Sequence, residues 1–149
     1  MASIKPPGIP VERGKIHEFA EAILDEHPHY HDEEAARLAG LPSVVAPPTF
    51  PIASALYAGQ EQELPPELLA LDMRFALHGA QEFSFTRPLF AGDQLTPELG
   101  EVKAYEKQGK RGGLMKFVEM ETLYRDASGE IVARSRTTAI QTAGVVKAT

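Results

Sequence analysis

The sequence predicts an α+β fold in which a curved antiparallel sheet wraps one central helix, and three observations carry that expectation. An early run, Ile52-Ala53-Ser54-Ala55-Leu56-Tyr57-Ala58, is apolar on nearly all sides, as a buried helix is. The second half alternates in polarity over Gln81 to Arg87, then forms three longer strand segments, Gln94 to Glu106, Leu114 to Asp126 and Glu130 to Thr142. The turns Gln108 to Gly113 and Ala127-Ser128-Gly129 join those three as hairpins, which makes their pairing antiparallel.

Composition narrows the function classes. The 149 residues, 43% apolar and 24% charged, match an ordinary globular chain, read as an extended arm over 1–10 and a single domain over 11–149. Net charge is -6 and the Lys and Arg residues are scattered, so no basic stripe exists for nucleic acid or anionic lipid. The absence of cysteine removes disulfides, thiolate metal sites and thiol nucleophiles together. No apolar run reaches about 18 residues, and Met1 to Pro10 carries no signal-like apolar core. A cytoplasmic protein that binds neither nucleic acid nor membrane is the expectation.

The elements follow in order. Ile16, Phe19, Ala20, Ile23 and Leu24 fall at helical spacing within Val11 to Leu24, a helix that Pro28 is expected to stop. Asp32, with Glu33 and Glu34 behind it, reads as the N-cap of a second, shorter helix that Gly40 ends. Pro47-Pro48 then presets an entry turn, and Thr49 is the expected N-cap of the buried helix. Residues 59–68, with Pro65-Pro66, read as a loop before an apolar segment around Leu68 to Leu77.

Three histidines alternate in His27-Pro28-His29-Tyr30-His31, with Asp25 and Asp32 nearby, and imidazole with carboxylate suits zinc or iron. Pro28 and the helix start at Asp32 oppose the straight strand such a site needs, so a polar turn is expected, with no metal and no cofactor. Gly109, Gly112 and Gly113 with Lys110 and Arg111 form no phosphate loop, because no helix N-terminus follows them. The aromatics Phe83, Phe85, Phe117 and Tyr124 are expected in the core.

Phe19, Asp25, Pro28, Asp32 and Ala36 fit the spacing of a hydratase motif that runs aromatic, then Asp-x-Asn-Pro-Leu-His-x-Asp, three residues and Ala. With Ala46-Pro47-Pro48-Thr49-Phe50, Leu77-His78-Gly79-Ala80-Gln81-Glu82-Phe83 and Arg87-Pro88-Leu89-Phe90-Ala91-Gly92-Asp93, the chain resembles the MaoC-like hydratase/dehydratase superfamily over roughly 11–142. The likeness is to its N-terminal-type branch, which includes non-catalytic subunits of 3-hydroxyacyl dehydratases. It implies the hot-dog fold and an acyl thioester of coenzyme A or acyl carrier protein as the ligand. It also implies a dimer, either of two copies or with a catalytic hot-dog subunit.

The departures bear on chemistry. Tyr30 stands where active relatives have their histidine, and His27 where they have Asn. A phenol with a pKa near 10 is a poor base at neutral pH, whereas an imidazole is well placed. Pro47 and Pro48 stand where active relatives tend to carry His-Gly, and proline has no N–H for an oxyanion. The resemblance therefore implies a substrate-binding half without its own Asp/His dyad, with Pro48, Thr49, Phe50 and Gly79 as substrate-binding candidates. A rearranged site would use Asp25 as acid and His27 or His78 as base. A binding module without chemistry is the remaining alternative.

Overall fold

The computed structural model describes residues 8–53, 64–110 and 113–143. Ile9–Pro10 form a short strand, β1, followed by helix α1 at Arg13–Ala22. A 3-10 turn covers Pro28–Tyr30, α2 spans Glu33–Leu38, a second 3-10 turn covers Phe50–Ala53, and α3 spans Pro66–Leu69. The long strands are β2 at Ala76–Phe85, β3 at Gln94–Gln108, β4 at Leu114–Arg125 and β5 at Ile131–Gln141.

The sheet order is β1-β3-β4-β5-β2. Ile9 faces Leu95 and Pro10 faces Gln94 in an antiparallel pair. Gly109 N–H donates to Gly113 O at 2.9 Å and Asp126 N–H to Glu130 O at 2.9 Å, which closes the two hairpins. Thr86 N–H donates to Val132 O at 3.0 Å and Thr142 N–H to Phe75 O at 3.1 Å, so β2 and β5 also run antiparallel. This is the expected α+β class, an antiparallel sheet with few helices.

Several local signals act as the sequence implies. The Asp32 carboxylate accepts from Ala35 N–H at 2.8 Å, and Gly40 takes the left-handed conformation at φ +80 just past α2. Replacing Asp32 by Ala removes that cap without touching the core. We expect a loss of about 1 kcal/mol, read in thermal denaturation as a Tm lower by roughly 2–4 °C; an unchanged Tm would show that the cap contributes nothing.

Other boundaries differ from expectation, each for a local reason. Proline does not end α1: the helix stops at Ala22, and Leu24, at φ +59, lets Asp25 N–H reach back to Ala20 O at 2.9 Å. The end of the expected arm is strand, because Ile9 is buried and pairs with β3. Strand β2 begins at Ala76 rather than Gln81, taking in the tail of the apolar segment read at Leu68 to Leu77, whose start is α3. Thr49 caps no helix; Phe50 N–H donates to Pro47 O at 2.9 Å and opens a 3-10 turn instead. The remainder of the expected buried helix, 54–58, lies outside the described residues, as do Arg111 and Gly112 of the β3–β4 turn.

The chain divides into two compact units. The first comprises 1–62, 83–98 and 124–134, and its core joins Ile9, Val11, Ile16, Val44, Phe50, Leu89, Leu95, Tyr124 and Val132. Phe19 and Phe85 pack against that cluster, and the Tyr124 hydroxyl donates to Pro51 O at 3.3 Å. The second comprises 63–82, 99–123 and 135–149. In it Tyr105 stacks on Phe117 with ring centroids 5.0 Å apart and donates its hydroxyl to Glu119 at 2.7 Å. Among the described residues no helix is long and apolar enough to cross a membrane.

Candidate functional site

A cavity of about 400 Å3 lies in the first unit, lined by Tyr30, Val45, Ala46, Pro48 and the stretch Phe85 to Leu89. Three backbone links set its walls. Ala46 N–H donates to Leu89 O at 2.8 Å, Ala91 N–H to Val44 O at 2.9 Å, and Val45 N–H to His29 O at 3.1 Å. The first two hold segment 44–46 against the loop after β2. The third ties that wall to the 3-10 turn carrying Tyr30, so both sides of the cavity share one hydrogen-bonded frame.

Arg87 braces the same loop. Its guanidinium grips Asp93 with two donors, at 2.7 and 3.0 Å, and reaches Pro88 O at 2.9 Å and Asp126 at 3.4 Å. Asp93 also accepts from Phe90 N–H at 2.9 Å, closing the turn in which Gly92 sits at φ +101. The forked pair with Asp93 holds Arg87 charged, its pKa raised mainly by that hydrogen bonding. Asp126 is held below the usual carboxylate range first by Ser128, with Arg87 contributing less. The only cation on the lining among the described residues is thus matched by two carboxylates.

Tyr30 is the titratable lining group that remains. Burial pushes its phenol above the ordinary value, and the Asp25 carboxylate adds to the shift. A phenol shifted in that direction stays protonated through neutral pH, where it donates a hydrogen bond and does not abstract protons. The sign for stability follows: Tyr30 favours the fold fully below the unfolded phenol pKa, and that contribution is lost as pH rises through the folded one. The difference in phenolate absorbance between the wild type and Tyr30→Phe should therefore titrate above about pH 10. A midpoint near pH 8 would make Tyr30 a competent base and contradict this reading.

The other candidates are placed as follows. Pro48 lines the cavity, and Thr49 is exposed beside it. The Phe50 ring is 2% exposed and packs in the core, and its N–H donates to Pro47 O at 2.9 Å. Asp25 receives His27 N–H at 3.1 Å, a local turn contact. His27 accepts weakly from His29 N–H at 3.4 Å, and its ring lies 5.4 Å from that of Tyr30. His78 and Gly79 belong to the second unit and to β2, where His78 meets Gln81 at 3.3 Å. A side chain at Gly79 would collide with Ile140, which explains the glycine by packing. Arg87 and its partner Asp93 close the two ends of one stretch of the resemblance, whereas Asp126, 39 residues away, joins them only through the fold.

Residues 2–135 match the family model for the FAS1-like dehydratase domain region. A UPF0336 protein of Streptomyces coelicolor is 47% identical over 93 residues, 61% of this chain and 61% of that protein, so the match spans less than two thirds of it. A UPF0336 protein of Leifsonia xyli is 39% identical over 137 residues, 91% of this chain and 88% of its own length. Among solved structures, the C-terminally truncated HadBC (3R)-hydroxyacyl-ACP dehydratase complex of Mycobacterium tuberculosis superposes with TM-score 0.72 and 29% identity, covering 91% of this chain and 90% of that one. The ChsH1–ChsH2 complex of the same organism gives TM-score 0.71 and 26% identity, with 97% and 86% covered.

Proposed function

From the premise that the chain belongs to the FAS1-like dehydratase-region family, and so to the MaoC-like hot-dog dehydratases, we propose that it is an acyl-thioester-binding subunit of a (3R)-hydroxyacyl dehydratase or (R)-specific enoyl hydratase. Residues 11–149 act as one hot-dog domain, and a partner hot-dog chain supplies the Asp/His dyad. The observation that carries the reading is Tyr30 on the cavity lining with its phenol held protonated.

Dehydration of a 3-hydroxyacyl thioester removes a proton from C2 and expels the C3 hydroxyl as water, and hydration is the reverse. It needs a base near neutrality for the first proton, an acid for the leaving oxygen and donors for the enolate-like thioester oxygen. This chain offers an apolar cavity, a neutral phenol and a paired cation, none of which is such a base. At the corner where the oxygen is bound in the family, Pro47 and Pro48 have no N–H and the Phe50 N–H is spent on Pro47 O. Thr49 is left as the backbone donor.

A partner is supported from two sides. Two of the similar structures are themselves complexes, HadBC and ChsH1–ChsH2. In this chain β2 ends the sheet order and exposes Leu77. A second hot-dog chain along this edge covers the leucine.

The test is hydration of crotonyl-coenzyme A by the purified chain alone and after mixing with a hot-dog chain that carries an intact Asp-x-Asn-Pro-x-His. Activity is expected in the mixture only. The second reading, a self-sufficient homodimer, draws on His27 standing beside Tyr30; it requires that the lone chain be active and that His27→Ala abolish the activity.

A further inference from the structure

His17, Glu21 and His31 form a cluster outside the cavity lining. His17 and Glu21 are four residues apart on α1, so they share one helix face. His31 follows the 3-10 turn and brings its ring edge-on to His17, with centroids 4.8 Å apart. One ligand atom from each of the three lies within 4.8 Å of the others. The closest approach is between the two Nδ1 atoms, at 2.7 Å.

The hydrogen bonding around His31 sets what that approach means. Its Nε2 lies 2.8 Å from the backbone carbonyl of Asp25, which can only accept, so Nε2 carries the proton. In the neutral ring Nδ1 is then a bare lone pair aimed at His17. A ring nitrogen fixed by a carbonyl behind it is the arrangement by which proteins orient a metal-ligating histidine. The Glu21 carboxylate adds a negative oxygen on the same face. Two imidazole nitrogens with one carboxylate and no thiolate suit zinc and neighbouring divalent transition ions better than magnesium or calcium, which prefer all-oxygen shells.

We infer that His17, Glu21 and His31 bind one divalent transition cation of the zinc class, clamping α1 to the turn that carries Tyr30. Bonds of about 2.0–2.1 Å in a tetrahedral site place ligand nitrogens about 3.3 Å apart. The two Nδ1 atoms therefore separate by some tenths of an ångström on binding, which the exposed His17 side chain accommodates by rotation. The ion is structural: it bridges α1 and the turn, which already meet through the paired rings of His17 and His31. Its presence does not depend on the chain's catalytic competence.

The experiment is titration of the metal-free chain with zinc chloride by calorimetry, alongside thermal melts in zinc and in chelator. We expect one zinc per chain and a higher Tm in zinc, with magnesium giving neither. His17→Ala and Glu21→Gln, both at exposed positions that leave the core intact, should each weaken binding at least about tenfold. Absence of zinc binding by the wild type would overturn the inference, and so would undiminished affinity in His17→Ala, which would assign the metal to His27 and His29.

Discussion

Replacing Arg87 by Ala is expected to lower stability by about 2–3 kcal/mol, which for a chain of this size is a Tm lower by roughly 5–10 °C. The figure rests on what the substitution strands. Asp93 loses a two-pronged partner, Pro88 O loses a donor, and Asp126 loses its nearest positive charge. A fully buried pair broken on one side costs about 3–5 kcal/mol. The Arg87 side chain retains 35% of its exposure, so the lower range applies. Arg87→Lys keeps the charge but cannot fork across both carboxylate oxygens, and should fall between. Because Asp93 closes the turn that holds segment 44–46, Arg87→Ala should also loosen the cavity walls, seen as faster amide exchange at Ala46 and Ala91. A variant as stable as the wild type would mean that the brace is decorative.

How much of this was legible in the sequence depends on distance along the chain. Local signals read well. Asp32 caps α2, Gly40 ends it, and the three long strands lie within about two residues of the alternating segments, because capping, positive φ and two-residue periodicity are properties of neighbours. Longer-range facts did not read. Nothing in Gly8-Ile9-Pro10 announces pairing with Leu95, and the proximity of prolines argued for an unpaired arm. Thr49 reads as the N-cap of a helix, but Pro47 O takes the Phe50 N–H and opens a 3-10 turn that buries the Phe50 ring.

The cavity shows the same division. Tyr30 and Pro48, which stand out in the resemblance, both lie on its lining, whereas Phe85 reads as a core aromatic and Arg87 to Leu89 only as part of a stretch that carries the resemblance. The brace on Asp93 and Asp126 needed the hairpin to bring Asp126 back beside Arg87. The His17, Glu21 and His31 cluster was half visible, since a His and a Glu four apart on a helix share a face. Its third member, His31, belongs to the alternating histidines but reaches His17 only through the bend at 24–31, while His27 and His29 face each other at 4.4 Å.

The second large effect concerns activity. A site without its acid–base pair forfeits about 100- to 10,000-fold in rate, and loss of an oxyanion donor a further 100-fold or more. The cavity has neither a base near neutrality on its described lining nor an N–H at Pro48. The purified chain should hydrate crotonyl-coenzyme A no faster than the buffer rate multiplied by what binding alone can give. Mixed with a chain bearing the intact motif, it should restore turnover by at least about 1,000-fold.

Initial hydration rates for the lone chain and for the mixture, measured side by side at pH 7, test the central claim most directly. Silence alone with turnover in the mixture is the predicted result. Robust turnover by the lone chain, retained in Tyr30→Phe, would contradict it, because the chemistry would then reside in groups other than those that line this cavity.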